Sequence, residues 1–195
     1  ISFPEGKHGV VYDAMDNTVY PLPPEEWVIG PYESRLVIFG ENLPVATVPP
    51  VFADETVALL DGQWTVSLAT APEYPHMTRY REQMALQNFN TPDTLHHFSG
   101  ILRYETTIEG HGCPVLLDLG EVYETAQVWL NGEEVGLCIA PPYRFVLNHV
   151  RKGNNWLTVE IRNTLGHALR DNLSRFLVQE PIGLLGPVTL TYGKR

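Results

Sequence analysis

The sequence predicts an all-β fold, and three observations predict it. Apolar residues alternate with polar ones along several short runs, which is the period of a strand with one buried face. An Asn131-Gly132 pair sits between two such runs, where a two-residue hairpin turn needs both of its central residues at positive φ. Helical periodicity is scarce. Thr91-Pro92-Asp93 fits a single turn with Thr91 as cap, and 168–177 fits one short helix, but neither supports an alternation of strands and crossover helices.

The elements follow in chain order. Val10-Val11-Tyr12, Thr18-Val19-Tyr20, Trp27-Val28-Ile29 and Arg35 to Phe39 are short β-like runs, with Asp16-Asn17 as a turn between the first two. Four short strands are too few for an independent sandwich, so residues 1–40 read as the terminal strands of a preceding, incomplete β domain. Residues 41–56 carry Pro44, Pro49 and Pro50 and have no clear period. Proline fixes φ and donates no ladder hydrogen bond, so this stretch reads as a linker.

Residues 57–195 read as one β-sandwich. Trp64, Val66 and Leu68 share a face, as do Leu102, Tyr104, Thr106 and Ile108. Val115, Leu117 and Leu119 share another, and Leu157, Val159 and Ile161 alternate with Thr158, Glu160 and Arg162. On the arm before Asn131-Gly132, Ala126, Val128 and Leu130 point one way and Gln127 and Trp129 the other. Gly183-Leu184-Leu185-Gly186-Pro187 leads into a last strand at Val188-Thr189-Leu190. Its glycines suggest a tight turn or a close backbone approach.

Composition limits the function. The chain has 195 residues, 44% of them hydrophobic and 18% charged, an ordinary balance for a domain with a core. The net charge of -10 would repel a phosphate backbone or an anionic membrane surface, so neither nucleic acid nor membrane is an expected partner. No apolar run reaches the ~20 residues of a spanning helix. The first residue is Ile1 rather than Met and no signal-peptide pattern follows, as expected of a piece excised from a longer protein whose compartment stays undefined. Cys113 and Cys138 read as two thiols acting as small hydrophobes, although spacing alone leaves a disulfide open.

Catalytic chemistry finds little footing. There is no G-x-S-x-G elbow, and neither cysteine has an activating context. No cofactor is implied. His96-His97, in extended chain, would point to opposite faces and not share an ion. A structural calcium held by carbonyls and one or two carboxylates leaves no sequence signature, so the metal question stays open. Asp118, Glu121 and Glu124 are carboxylates of the type glycoside hydrolysis uses, but their spacing does not give a separation, and a solvated acidic loop explains them as well.

Carbohydrate contact fits the remaining residues better. Sugars offer apolar ring faces and many hydroxyls, so a site for them wants an exposed aromatic beside oriented polar groups. Trp129 lies on the polar side of its arm, with Tyr123, Glu121, Glu124, Arg144, Asn131 and Tyr143 as candidates to surround it. The plainer alternatives are that Trp129 packs under a neighbour, that Arg144 pairs with a carboxylate to pin a loop, and that Pro141 to Phe145 only fixes the start of a strand. Asn172-Leu173-Ser174 fits an N-glycosylation pattern, relevant only in a eukaryotic secreted protein.

A set of short motifs in order carries a family resemblance. Phe98-Ser99-Gly100 and Arg103-Tyr104-Glu105 are followed by Leu117 to Val122, Val128-Trp129-Leu130-Asn131-Gly132 with Val135-Gly136, and Pro142 to Phe145. Asn154 to Val159, Asn163-Thr164 and Gly183 to Val188 complete the series. Over roughly 59–192 this resembles the galactose-binding-like module of glycoside hydrolases of the family 2 type and of large α-L-rhamnosidase-like enzymes. Gly30 to Ser34 before Leu36 to Phe39 resembles the end of the domain that precedes it there. The resemblance implies a jelly-roll sandwich, a parent glycosidase, and a catalytic acid pair in a separate upstream domain, so no catalytic residue is expected here. Three roles follow: a non-catalytic accessory domain of a bacterial-type glycoside hydrolase that contacts carbohydrate or not, an autonomous carbohydrate-binding module, or a structural buttress for a neighbouring catalytic domain. The expected partners are carbohydrate or that upstream domain.

Overall fold

The computed structural model describes residues 8–14, 17–23, 29–47, 52–60, 64–169 and 179–193, the side chains of 53–59 excepted. Two compact units divide between Val51 and Phe52.

The first unit is a three-stranded antiparallel sheet of β1 (Gly9–Asp13), β2 (Thr18–Pro21) and β3 (Leu36–Phe39), in the order β2-β1-β3. β1 lies in the centre, and Val10 and Val11 are buried there. Asn17 adopts φ 54° in the first turn and accepts the Tyr12 hydroxyl at 3.0 Å. Residues 27 and 28 and Asp16, which belong to the expected strand and turn, lie outside the described residues. The Pro-rich stretch stays with this unit through Thr47, whose N–H donates to Val19 at 2.6 Å. Its last residues belong to the second unit, where β4 (Phe52–Leu59) begins inside the stretch read as a linker.

The second unit is a β-sandwich. Its further strands are β5 (Trp64–Ala69), β6 (Thr78–Met84), β7 (Ile101–Gly110), β8 (Val115–Asp118), β9 (Glu121–Tyr123), β10 (Thr125–Leu130), β11 (Glu133–Cys138), β12 (Arg144–Leu147), β13 (Gly153–Arg162), β14 (Gly183–Gly186) and β15 (Thr189–Gly193). One sheet has six strands in the order β11-β10-β13-β7-β5-β6, a second has four in the order β12-β8-β15-β4, and β14 pairs with β9. Every strand pairing is antiparallel. A four-residue helix, α1 (Gly166–Leu169), follows β13. It begins two residues before the helix expected from the sequence, most of which lies outside the described residues.

Alternation fills the interior. Leu102, Tyr104 and Ile108 of β7, Ala126, Val128 and Leu130 of β10, and Leu157, Val159 and Ile161 of β13 form one cluster with Val115, Leu117, Phe145, Leu147 and Leu190 of the four-stranded sheet. Trp64 packs edge-on against Tyr104, with ring centroids 6.2 Å apart. Cys113 and Cys138 are buried free thiols.

The hairpin turn forms as its residues dictate, with Asn131 at φ 53° and Gly132 at φ 84°. Asn131 also ties the hairpin to β13. Its side-chain carbonyl accepts the Trp156 N–H at 2.9 Å, and its amide donates to Asn155 Oδ1 at 3.0 Å. Gly183 adopts φ 103°, and a Cβ there would collide with the Tyr104 hydroxyl. The glycines of this segment therefore serve close backbone approach.

Candidate functional site

The sequence grouped six residues around Trp129, and the structure does not bring them to one place. Trp129 lies half-buried on the outer face of the six-stranded sheet, opposite its buried neighbours Val128 and Leu130. Tyr123 and Glu124 lie just before β10. Glu124 and Trp129 are five positions apart along the chain, about 17 Å at ~3.3 Å per residue, so one sugar ring does not touch both. Arg144 lies on β12, in the other sheet, with Asp118 opposite it in register.

Several of these residues are committed to the packing. Arg144 Nε donates to Asp118 Oδ2 at 2.7 Å, and Asp118 Oδ1 accepts the Gly120 N–H at 2.9 Å, so Asp118 pins the loop between β8 and β9. Tyr143 is buried rather than presented at a loop tip, and its hydroxyl donates to the main-chain carbonyl of Glu124. Burial, then the neighbouring Cys138, Glu124 and Tyr123, pushes its phenol above the ordinary range. The run from Pro141 thus fixes the start of β12. Asn131 is committed to the turn described above. Glu121 is exposed.

Tyr143 and Glu124 do come together, and Tyr123 with two residues the sequence did not single out, His167 and Glu180, lies near enough for their charges to influence one another. Partial burial, then Glu121 and Glu180, raises the Tyr123 phenol. His167 is buried, and burial holds its imidazole below the ordinary 6.5 while Glu124 and Glu180 pull the other way. Its Nδ1 has no hydrogen-bond partner among the described residues. No spacing in the sequence reports this proximity, because His167 and Glu180 come near Glu124 only through the fold.

A second polar cluster went unnoticed for a similar reason. Glu160 lies on the outer face of β13, yet it is only 1% exposed. Arg103 Nε and Nη2 both donate to its Oε1, at 2.9 and 2.6 Å, and Arg162 Nη2 donates to Oε2 at 2.9 Å. The Tyr74 hydroxyl donates to Oε2 at 3.4 Å, and the Arg162 guanidinium sits over the Tyr74 ring, 5.8 Å from its centre. Glu73 holds the covering loop by accepting the Thr70 N–H and hydroxyl, at 2.9 and 2.6 Å. The arrangement is an ionic lock over one end of the sheet face. A buried carboxylate is tolerated there because its oxygens are hydrogen-bonded by two cations.

His96 and His97 correct an expectation. They sit in a turn, not in extended chain, and their rings stand 3.8 Å apart. Among the described residues, no three His, Cys, Asp or Glu side chains are placed to hold a metal ion. No helix among them is long and apolar enough to cross a membrane.

No protein-family model matches the chain, and no curated protein does. Solved structures do. A rhamnosidase from Novosphingobium sp. PP1Y is 24% identical with a TM-score of 0.65, over 95% of this chain and 20% of its own. A GH2 β-galacturonidase from Eisenbergiella tayi is 23% identical with a TM-score of 0.54, over 70% of this chain and 24% of its own. A β-glucuronidase from Ruminococcus gnavus is 16% identical with a TM-score of 0.52, over 75% of this chain and 30% of its own. These neighbours are glycoside hydrolases, and the likeness is one of fold. The chain spans 20% to 30% of the length of the three enzymes.

Proposed function

We propose that this chain is a non-catalytic accessory portion of a bacterial-type glycoside hydrolase, its second unit a jelly-roll module of the galactose-binding-like type. The observation that carries the reading is the match along 95% of this chain to 20% of a rhamnosidase chain. A match of that shape is expected of a piece that recurs within larger enzymes.

Two carboxylates, Asp118 and Glu160, fit the same reading. Glycosidic cleavage needs a pair about 5 to 9.5 Å apart across the scissile bond, one of them able to give up a proton. Asp118 is tied to Arg144 and Gly120, and Glu160 is locked between two arginines. Both serve the fold. The natural partner is the catalytic portion of the same parent protein.

The test is turnover by the purified chain. Aryl α-rhamnoside, aryl β-galacturonide and aryl β-glucuronide should release no phenol above a blank. Release that survives repurification and is lost on removal of a carboxylate would overturn the proposal.

A further inference from the structure

The outer face of the six-stranded sheet has two unlike halves. Antiparallel register sets its side chains in rows across the strands. One row carries Gln127, Glu160, Arg103 and Ser67. Its polar groups are committed: Gln127 donates to Glu134 at 2.7 Å, and Glu160 and Arg103 belong to the ionic lock under Tyr74.

The next row carries Trp129, Thr158, Glu105 and Thr65 on β10, β13, β7 and β5. Beyond it, Trp156 and Thr107 face each other on β13 and β7. Trp156 is 48% exposed, although an indole is among the costliest side chains to leave in water. None of these six side chains makes a hydrogen bond or ion pair with another described residue. Trp129 and Trp156 are diagonal neighbours on adjacent strands, a spacing of about 7–8 Å that large side chains bridge.

We infer that these two open rows are a binding surface for a neutral glycan chain. The chemistry selects that occupant. Two indoles on a flat face suit the apolar faces of sugar rings, and the free hydroxyls, indole N–H groups and Glu105 carboxylate suit sugar hydroxyls. The rows hold Glu105 but no Lys or Arg, and the neighbouring Arg103 and Arg162 are both engaged by Glu160. Within the rows themselves a polyanion therefore meets a carboxylate and no cation. The surface also lies on side chains of hydrogen-bonded strands rather than on loops, which restricts the positions of its donors and acceptors.

This inference rests on the accessory-portion reading, and its test is separate. Affinity gel electrophoresis of the purified chain in a neutral β-glucan, a neutral galactan or polygalacturonate reads binding directly. Retardation is expected in at least one neutral polymer and not in polygalacturonate. W156A and W129A should each weaken it by about tenfold, the equivalent of 1.4 kcal/mol, while their thermal melts and circular dichroism stay those of a folded sandwich. W156A carries the test if W129A does not fold, because Trp156 is the more exposed. Absence of retardation in both neutral polymers, stronger retardation in polygalacturonate, or retardation unchanged in W156A would overturn the surface. Aryl-glycoside turnover bears only on the accessory reading, so the two failures are distinct.

Discussion

The main-chain N–H of Leu184 donates to the phenol oxygen of Tyr104 at 3.0 Å, joining the last strands of the chain to the middle of the six-stranded sheet. The bond is buried, and burial pushes the Tyr104 phenol far above its ordinary range. Tyr104 therefore stays protonated and neutral around neutral pH. Gly183 makes the approach possible, since any side chain there would occupy the space of the hydroxyl.

Removing the hydroxyl strands a buried donor. Y104F should cost about 1–3 kcal/mol, the penalty of an unmet buried polar group. G183A should cost more than ~1 kcal/mol, from the positive φ and the collision. In urea melts the double variant should lose less than the sum, because Y104F removes the atom that G183A strikes. Strict additivity would show that the two residues do not share this contact.

The ionic lock predicts an asymmetry. E160Q leaves two arginines facing a neutral amide on a covered surface and should destabilise by about 3–5 kcal/mol, the usual cost of breaking a buried pair. R79A, which removes an exposed partner of Glu82, should cost under ~1 kcal/mol. Equal losses in thermal or urea melts would mean that Glu160 is better solvated than its burial indicates.

His167 gives a pH signature. Its folded pKa lies below the ordinary 6.5, so the unfolded chain takes up the proton more readily. The contribution of neutral His167 to stability is full above about pH 6.5 and falls as the pH drops through the folded value. The stability difference between the parent chain and H167Q should therefore shrink between pH 7.5 and 5 in urea melts. A difference that is flat or grows would show that Glu124 and Glu180 outweigh burial.

The hairpin turn is the fourth test. N131A loses the αL-tolerant residue and the side-chain bonds to Trp156 and Asn155 together, and should cost about 1–3 kcal/mol in thermal or urea melts. N131G keeps the backbone freedom and should recover part of that loss. If N131G is no better than N131A, the side-chain bonds dominate.

Most of the second unit was legible because long strands repeat their signal. β7 and β13 each run ten residues, and Leu102, Tyr104 and Ile108 of the one and Leu157, Val159 and Ile161 of the other fall on the inner face. β6 was not legible: Thr78 to Met84 is polar except at Tyr80 and Met84, as suits an edge strand with little to bury. β9 and β14 are too short for a period to show. For the candidate residues, alternation placed Trp129 on the outer face, and carried one step past Leu157 it would have added Trp156. It gave no hint that Tyr143 turns inward to Glu124 or that Tyr74 closes over Glu160, 86 residues away. Such pairings arise from tertiary closure and have no local pattern.

The polar character of β6 has a consequence for assembly. A sheet margin is a template on which another chain can continue the ladder, and a charge that would have to be desolvated discourages the addition. Arg79, Arg81 and Glu82 line this margin in exposed positions. Crowded copies of the protein should therefore resist fibril growth from this side, and replacing those three residues with valine or threonine should open it.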